Sequence, residues 1–444
     1  MRDRTWRCGI IVLISSVWCA MISVWAAPPD AEFLAARQSF LRDMKKKSPE
    51  VRAAAVKTFA EFIEPNTAEL LLKHAFNDDD PSVKHAGQIA LRQLAEATPV
   101  RQFLSDELKK GYRKPVITPG TIELFRALAL TADEQTRADF LKNLDDFLSS
   151  PKGNALVPIT VIDEMAKQGD TEAFRVVNLL SGSKAFEIFG YRRAVVQAMT
   201  AIREPAAVQF LIDQLPQSKG LIQHDVVDYL TRLTKQKFKD NDRNWANWWK
   251  DNQATFQFPP AGAELPPAPP DDKQLTYYGI PIGAKRVVFV LDTSGSMRGL
   301  PIDQAKQALL KAIEGLPEAV AFNIVTFDAQ AVTWHPRLVP ATVEAKQDAA
   351  QTIMQRSLRI GTASHAALEA AFRLEPEAIY FLSDGEPTDG PPQQIVSSVT
   401  QQNRTRRISI HTIGVVTDRN GGAGLTLFMR PLATQNFGTF QLVQ

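Results

Sequence analysis

Cysteine is almost missing from this sequence. The chain of 444 residues has 2, Cys8 and Cys19. Both fall in its first 26 residues. Beyond them there is no thiol, which excludes disulfides, thiolate zinc sites and cysteine nucleophiles together. Stability there must come from packed cores. Excess charge is missing too. The 51 Lys and Arg nearly balance 49 Asp and Glu, for a formal net charge of +2. That balance argues against a nucleic-acid partner. Histidines number 6, and His335, His365 and His411 are scattered singly. There is no H-E-x-x-H, no G-x-S-x-G and no Walker-type phosphate loop. A metal hydrolase needs a general base beside the metal-bound water, and none is visible. The sequence does not read as an enzyme, and no catalytic or organic-cofactor residue is assigned.

What is present begins with a targeting segment. Arg2, Arg4 and Arg7 precede an apolar stretch from Cys8 to Trp25. Val24 and Ala26 put small side chains at the −3 and −1 positions of a cleavage site before Ala27. A stretch of about 18 residues also suits a single-span anchor. Residues 1–26 therefore read as a signal peptide or membrane anchor. Ser16, Val17 and Trp18 before Cys19 form no lipoprotein box. On either reading the remainder is exported: periplasmic, secreted or anchored at the cell envelope. Export without disulfides fits a bacterial envelope better than an animal matrix.

Residues 27–256 read as helices joined by short loops. Apolar residues recur at helical spacing in Val51, Ala54, Ala55, Phe59, Phe62 and Ile63, and again in Val83, Ala86, Ile89, Ala90 and Leu94. Ser48-Pro49-Glu50-Val51-Arg52 returns as Asp80-Pro81-Ser82-Val83-Lys84, and Glu64-Pro65 returns as Glu204-Pro205. Ser or Asp before Pro is an N-cap with proline in the first helical turn. A period of about thirty residues with that signature resembles HEAT-type stacked helix pairs. Residues 101–184 follow the motif poorly. Trp245, Trp248 and Trp249 share one helical face, which reads as the hydrophobic cap of the last repeat. Residues 257–276 form a Pro-rich linker, with Pro259, Pro260, Pro266, Pro267, Pro269 and Pro270. Prolines at this density favour an extended spacer between two independent domains.

Residues 277–444 carry the chemistry. Val287–Leu291 is a continuous apolar run, as expected of a strand buried on both faces of a parallel sheet. It ends on Asp292, followed by Thr293, Ser294, Gly295 and Ser296. Ala378–Ser383 is a second such run, ending on Asp384-Gly385. Between them Gly361-Thr362 precedes the helix-like Ser364–Phe372. Strands and helices alternate, which implies an α/β doubly wound, Rossmann-like sheet. Such sheets place ligands at the carboxyl ends of their strands. Hard divalent cations require oxygen donors, and these loops supply them. Glu386 and Asp389 read as an acidic rim that Arg298 opposes.

The pattern D-x-S-x-S, then a loop Thr, then a strand-end Asp-Gly, resembles the von Willebrand factor type A family, over roughly Tyr277 to Gln444. In that family it forms the metal-ion-dependent adhesion site. The resemblance implies metal ligands Asp292, Ser294, Ser296, Thr362 and Asp384, with the hydroxyls binding directly and the aspartates directly or through water. It implies that the two Asp-bearing strands are neighbours where the strand order reverses. It further implies a divalent cation, best Mg²⁺ with Mn²⁺ or Ca²⁺ as substitutes, and a protein partner giving a Glu or Asp carboxylate to the metal. No nucleic acid is expected, and no membrane contact beyond an uncleaved anchor. Adhesion receptors of the family carry a further helix whose displacement works a switch; the given sequence stops at Gln444, one residue past the last expected strand, which puts a switch of that kind in question and leaves the metal site untouched. The whole reads as a multidomain protein: an all-α, HEAT-like helical-repeat domain followed by a type A domain. Two other readings stay open: a scaffold that binds through its repeats, and a non-catalytic subunit of an enzyme assembly.

Overall fold

A computed structural model describes residues 31–112, 117–260, 263–269, 274–417 and 423–443. The targeting segment 1–26 lies outside the described residues. Among those described, no helix is long and apolar enough to cross a membrane.

From Ala31 to Asn252 the described residues fold into α-helices. The capping logic read from the sequence is in place. Ser48 Oγ accepts from Val51 N at the start of Pro49–Phe59, and Asp80 Oδ1 accepts from Ser82 N at the start of Pro81–Ala95. Glu64 and Glu204 cap nothing with their side chains; there proline alone starts the helix. Helix Pro49–Phe59 packs on Pro81–Ala95, and that on Pro119–Leu130. The row continues through Leu156–Gln168, Phe189–Ala201 and Gly220–Thr234. Pro65–His74, Thr98–Tyr112 and Glu134–Leu148 form a second layer against it. The poorly matching middle continues the same stack, with Thr118, Asp133 and Asp170 as its caps. One apolar core runs from Phe33 to Trp249. Trp245 and Trp249 are wholly buried and close its far end, and Trp245 Nε1 donates to Lys239 O at 2.8 Å.

The second half is a sheet between helices. Its strands are β1 (Thr276–Tyr277), β2 (Ile280–Pro281), β3 (Arg286–Asp292), β4 (Ala321–Phe327), β5 (Ala331–Thr333), β6 (Val339–Pro340), β7 (Ala378–Ser383), β8 (Ser409–Val415) and β9 (Phe440–Val443). β1 and β2 pair as a separate two-stranded ribbon. The main sheet runs β5-β4-β3-β7-β8-β9, with β6 also on β4. β3 lies parallel between β4 and β7. The chain goes from β3 to β4 on one side, then crosses to β7 on the other, so order reverses at the β3–β7 pair. Every residue of β7, and every residue of β3 after Arg286, is buried. Helices Leu300–Glu314 and Val343–Gln355 cover one face, and Ser364–Arg373, Pro392–Arg406 and Ala423–Thr434 the other.

The two halves are not independent, contrary to the reading of the Pro-rich segment as a spacer. Arg232 donates to Leu265 O at 2.8 Å and Pro266 O at 3.0 Å, and Leu265, Phe256 and Phe258 pack on the helical core. Phe256, Phe258 and the Leu265-Pro266 pair thus lie along the helices as a strap. Backbone carbonyls accept hydrogen bonds whatever the side chain, so composition gave no sign of this. The helical layers also dock directly on the sheet. Arg407 Nη2 meets both Asp163 oxygens at 2.5 and 2.6 Å. Arg193 binds Asp225 (2.7 Å), Ser409 Oγ (2.9 Å) and Arg407 O. Both guanidinium groups lie over the Phe437 ring. Glu377 Oε2 accepts from Leu221 N and Lys285 N. Gly190 is required at this seam, because a Cβ there would lie 2.0 Å from Thr405 O. All these contacts sit at the amino ends of β3, β7 and β8.

Candidate metal centre

The opposite, carboxyl ends of β3 and β7 hold the candidate ligands. β3 and β7 are in register to Leu291↔Leu382, so Asp292 ends opposite Ser383 and Asp384 follows one residue on. Asp292 is wholly buried. Its Oδ1 accepts from Ser294 N at 2.8 Å and its Oδ2 from Ser383 Oγ at 2.5 Å. Burial pushes its carboxyl up to about 6, against the Ser383 and Ser294 hydrogen bonds; the nearby Asp384 charge raises it further. Ser294 Oγ lies 2.9 Å from Ser296 Oγ, which donates to Asp384 Oδ1 at 2.7 Å. Ser294, Ser296 and Asp384 thus form a chain of oxygens, and Asp292 is tied to it through Ser294 N. Thr362 lies beside Gly385, the residue after Asp384: a methyl built on Gly385 would sit 3.8 Å from Thr362 Oγ1. Hydrogen bonds thus connect four of the five predicted residues, Asp292, Ser294, Ser296 and Asp384, and Thr362 stands next to Gly385.

The loops around them are braced. Thr293 N and Oγ1 both donate to Phe327 O, which ties the D-x-S-x-S loop to β4. Ser294 bridges Arg359, and Arg359 N donates to Thr293 O. Gly361 has φ +102°, and a Cβ there would lie 2.8 Å from Ala329 Cα. Only glycine carries the chain round this corner into Thr362. Ala363 N donates to Asp328 O, and Arg356 pairs with the buried Asp328 at 3.1 Å. Thr362 and Thr388 exchange two bonds, Thr362 N to Thr388 Oγ1 and Thr388 N to Thr362 O.

Sequence reading missed several of these residues. Ser383 is the clearest, a hydroxyl inside an apolar strand. A buried hydroxyl must find a partner, so its position beside Asp384 was a usable signal. Asp389 is corrected: its oxygens accept from His365 N and Ala366 N. It caps the helix Ser364–Arg373 from across the mouth and is not a free rim charge. The three histidines are engaged elsewhere. His335 lies 3.8 Å from Asp348, His365 3.7 Å from Glu369, and His411 accepts from Thr439 N.

The donor set fits a hard divalent cation. It comprises the carboxylates of Asp292 and Asp384 and the hydroxyls of Ser294, Ser296 and Thr362, with no nitrogen or sulfur among them. Two carboxylates match two positive charges, and weak hydroxyl donors suit an ion that keeps water or ligand positions.

Residues 285–440 match the von Willebrand factor type A domain profile. Inter-alpha-trypsin inhibitor heavy chain H4 of Homo sapiens is 32% identical over 175 residues, 36% of this chain and 18% of that protein. Heavy chain H3 of Bos taurus is 43% identical over 76 residues, 17% of this chain and 8% of that protein. The chain thus spans less than a fifth of the length of these relatives. Among solved structures, a von Willebrand factor type A protein from Catenulispora acidiphila overlays with a TM-score of 0.33 at 22% identity, covering 37% of this chain and 40% of that one. BatB from Bacteroides thetaiotaomicron overlays with a TM-score of 0.29 at 18% identity, covering 36% and 89%. Family match, strand order and site together make residues 285–440 a von Willebrand factor type A domain, carried on an all-helical region.

Proposed function

We propose that this chain is an exported protein-binding module of adhesion type. It holds a divalent cation, Mg²⁺ in preference to Mn²⁺ or Ca²⁺, on Asp292, Ser294, Ser296, Thr362 and Asp384. A partner's Glu or Asp carboxylate completes the ion's coordination. The observation that carries the reading is the oxygen ladder from Ser294 Oγ through Ser296 Oγ to Asp384 Oδ1, beside the buried Asp292. Hydroxyl-rich coordination leaves the ion electrophilic, so an incoming carboxylate gains most from it. The helical region, read as HEAT-like, offers a second interaction surface. Export rests on residues 1–26.

The test is calorimetric titration of MgCl₂ and MnCl₂ into the chain and into its Asp292→Ala/Asp384→Ala variant, with and without acetate as a surrogate carboxylate. Heat in the unmodified chain alone is expected. No heat from either cation under either condition sinks the reading. A second reading makes the helices the binding surface and the type A domain structural; a polar cavity among the helices favours it. Asp292→Ala should abolish partner capture on the first reading and leave it intact on the second.

A further inference from the structure

Away from the metal mouth, helices Pro81–Ala95 and Pro119–Leu130 and the start of Thr171–Ser181 enclose a cavity of about 440 Å³. That is enough for a small ligand. Its lining carries two opposite charges, Arg126 and Glu123, that meet as an ion pair 3.9 Å long and not as a hydrogen bond. Arg126 is 9% exposed, yet its Nε has no hydrogen-bond partner and its Nη2 reaches only the Met165 sulfur at 3.8 Å. Glu123 is 8% exposed and stands 3.9 Å from Arg126 Nε, beyond hydrogen-bond distance. Its one donor is Gln88 Nε2 at 2.8 Å. Burial pushes its carboxyl above the ordinary value; the Arg126 charge and the Gln88 hydrogen bond oppose that push without cancelling it.

Buried charges persist only when something pairs them. The other ionised groups are already engaged: Arg92 pairs with Glu172, and Asp170 caps Thr171–Ser181 through Ala173 N. The lining has two arginines, Arg92 and Arg126, against three acids, Glu123, Asp170 and Glu172. A plain anion would meet a net negative wall. Arg126 nevertheless needs an acceptor oxygen. A ligand with a carboxylate and no net charge meets both conditions, and Ile89 and Leu130 supply apolar wall for a side chain.

We propose that this cavity binds a small zwitterion of the amino-acid class, its carboxylate on Arg126, its ammonium on Glu123, and its apolar side chain against Ile89 and Leu130. The inference does not rest on the metal site. The experiment is calorimetry and thermal shift on the whole chain in EDTA with L-leucine, N-acetyl-L-leucine and L-leucinamide. L-leucine should bind, and each capped analogue should bind at least about tenfold more weakly, as expected on losing one charge-assisted bond. Arg126→Gln should weaken L-leucine by the same factor or more. Absence of L-leucine binding at millimolar concentration overturns the proposal. Equal binding of the three compounds, or an unchanged affinity in Arg126→Gln, does the same. Should Arg126→Gln fold poorly, Glu123→Gln decides: it must bind L-leucine and N-acetyl-L-leucine alike, and retained discrimination refutes the assignment.

Discussion

Replacing Arg193 with alanine tests whether the helical layers and the sheet form one body. Arg193 is 2% exposed and makes its bonds across the seam and within the helices at once. Its loss leaves Asp225 without its guanidinium, Arg407 O without its donor and Ser409 Oγ with only its bond to Phe437 O. Breaking a buried pair from one side costs about 3–5 kcal/mol. The Asp225 side chain is 19% exposed, so water recovers part of that and the lower end, about 3 kcal/mol, is expected. Arg407→Ala is the internal control. Asp163 is 31% exposed, so its carboxylate rehydrates more fully, and about 1–2 kcal/mol is expected. Urea unfolding followed by circular dichroism gives both values. Proteolysis within residues 257–276 should quicken in the same order as the seam opens. Heats of Mg²⁺ binding should not move, because the seam lies at the other end of the strands. An Arg193→Ala loss within about 0.5 kcal/mol of zero, or smaller than that of Arg407→Ala, would refute the account of the seam as a buried ionic clamp.

Two further expectations follow from the same geometry. His411, on β8, is pushed down to about 3 by burial, with Arg193 and His224 adding to the effect. It is therefore held neutral in the folded chain, and its contribution is complete above its unfolded value of 6.5 and lost as pH falls towards 3. About 2 kcal/mol of this should be gone at pH 5; Asp292, raised to about 6, changes stability in the opposite direction over that window, so urea midpoints across pH 4–8 are read against a His411→Gln variant, and parallel profiles contradict the assignment. Gly361→Ala should cost about 1–3 kcal/mol or shift the Thr362 loop, since φ +102° and the Ala329 contact both oppose a Cβ. Weaker Mg²⁺ binding with the far seam intact is the expected signature, and undiminished binding would show that Thr362 is not held by this corner.

The parts legible in the sequence were those where one physical demand dominates. β3 and β7 are buried on both faces, so they read as unbroken apolar runs, and the polar residues ending them stand out. The helix starts at Pro49 and Pro81 announced themselves through Ser48 and Asp80. The seam was illegible because Arg193 and Arg407 look like any surface arginines. Their partners across the seam lie hundreds of positions away, and nothing local marks a guanidinium that will be buried. Asp389 misled for a related reason. A carboxylate near a metal loop looks like rim charge, while His365 N, which it accepts from at the start of the helix, lies 24 residues before it in the chain. The Pro-rich strap misled because its anchoring uses carbonyls, which composition does not encode.

The placement of the helical layers at the amino ends of the strands has a mechanical consequence. The mouth lies one strand length away, about 20 Å for the seven residues of β3. A tension applied between a captured partner and the helical arm would run along β3 and β7, not across them. β3 is flanked by parallel neighbours on both sides, β4 and β7, from near its first residue to near its last. Load in that direction shears these ladders together instead of opening them bond by bond. The same topology that brings Asp292 near Asp384 therefore sets the sheet to resist tension applied along its strands.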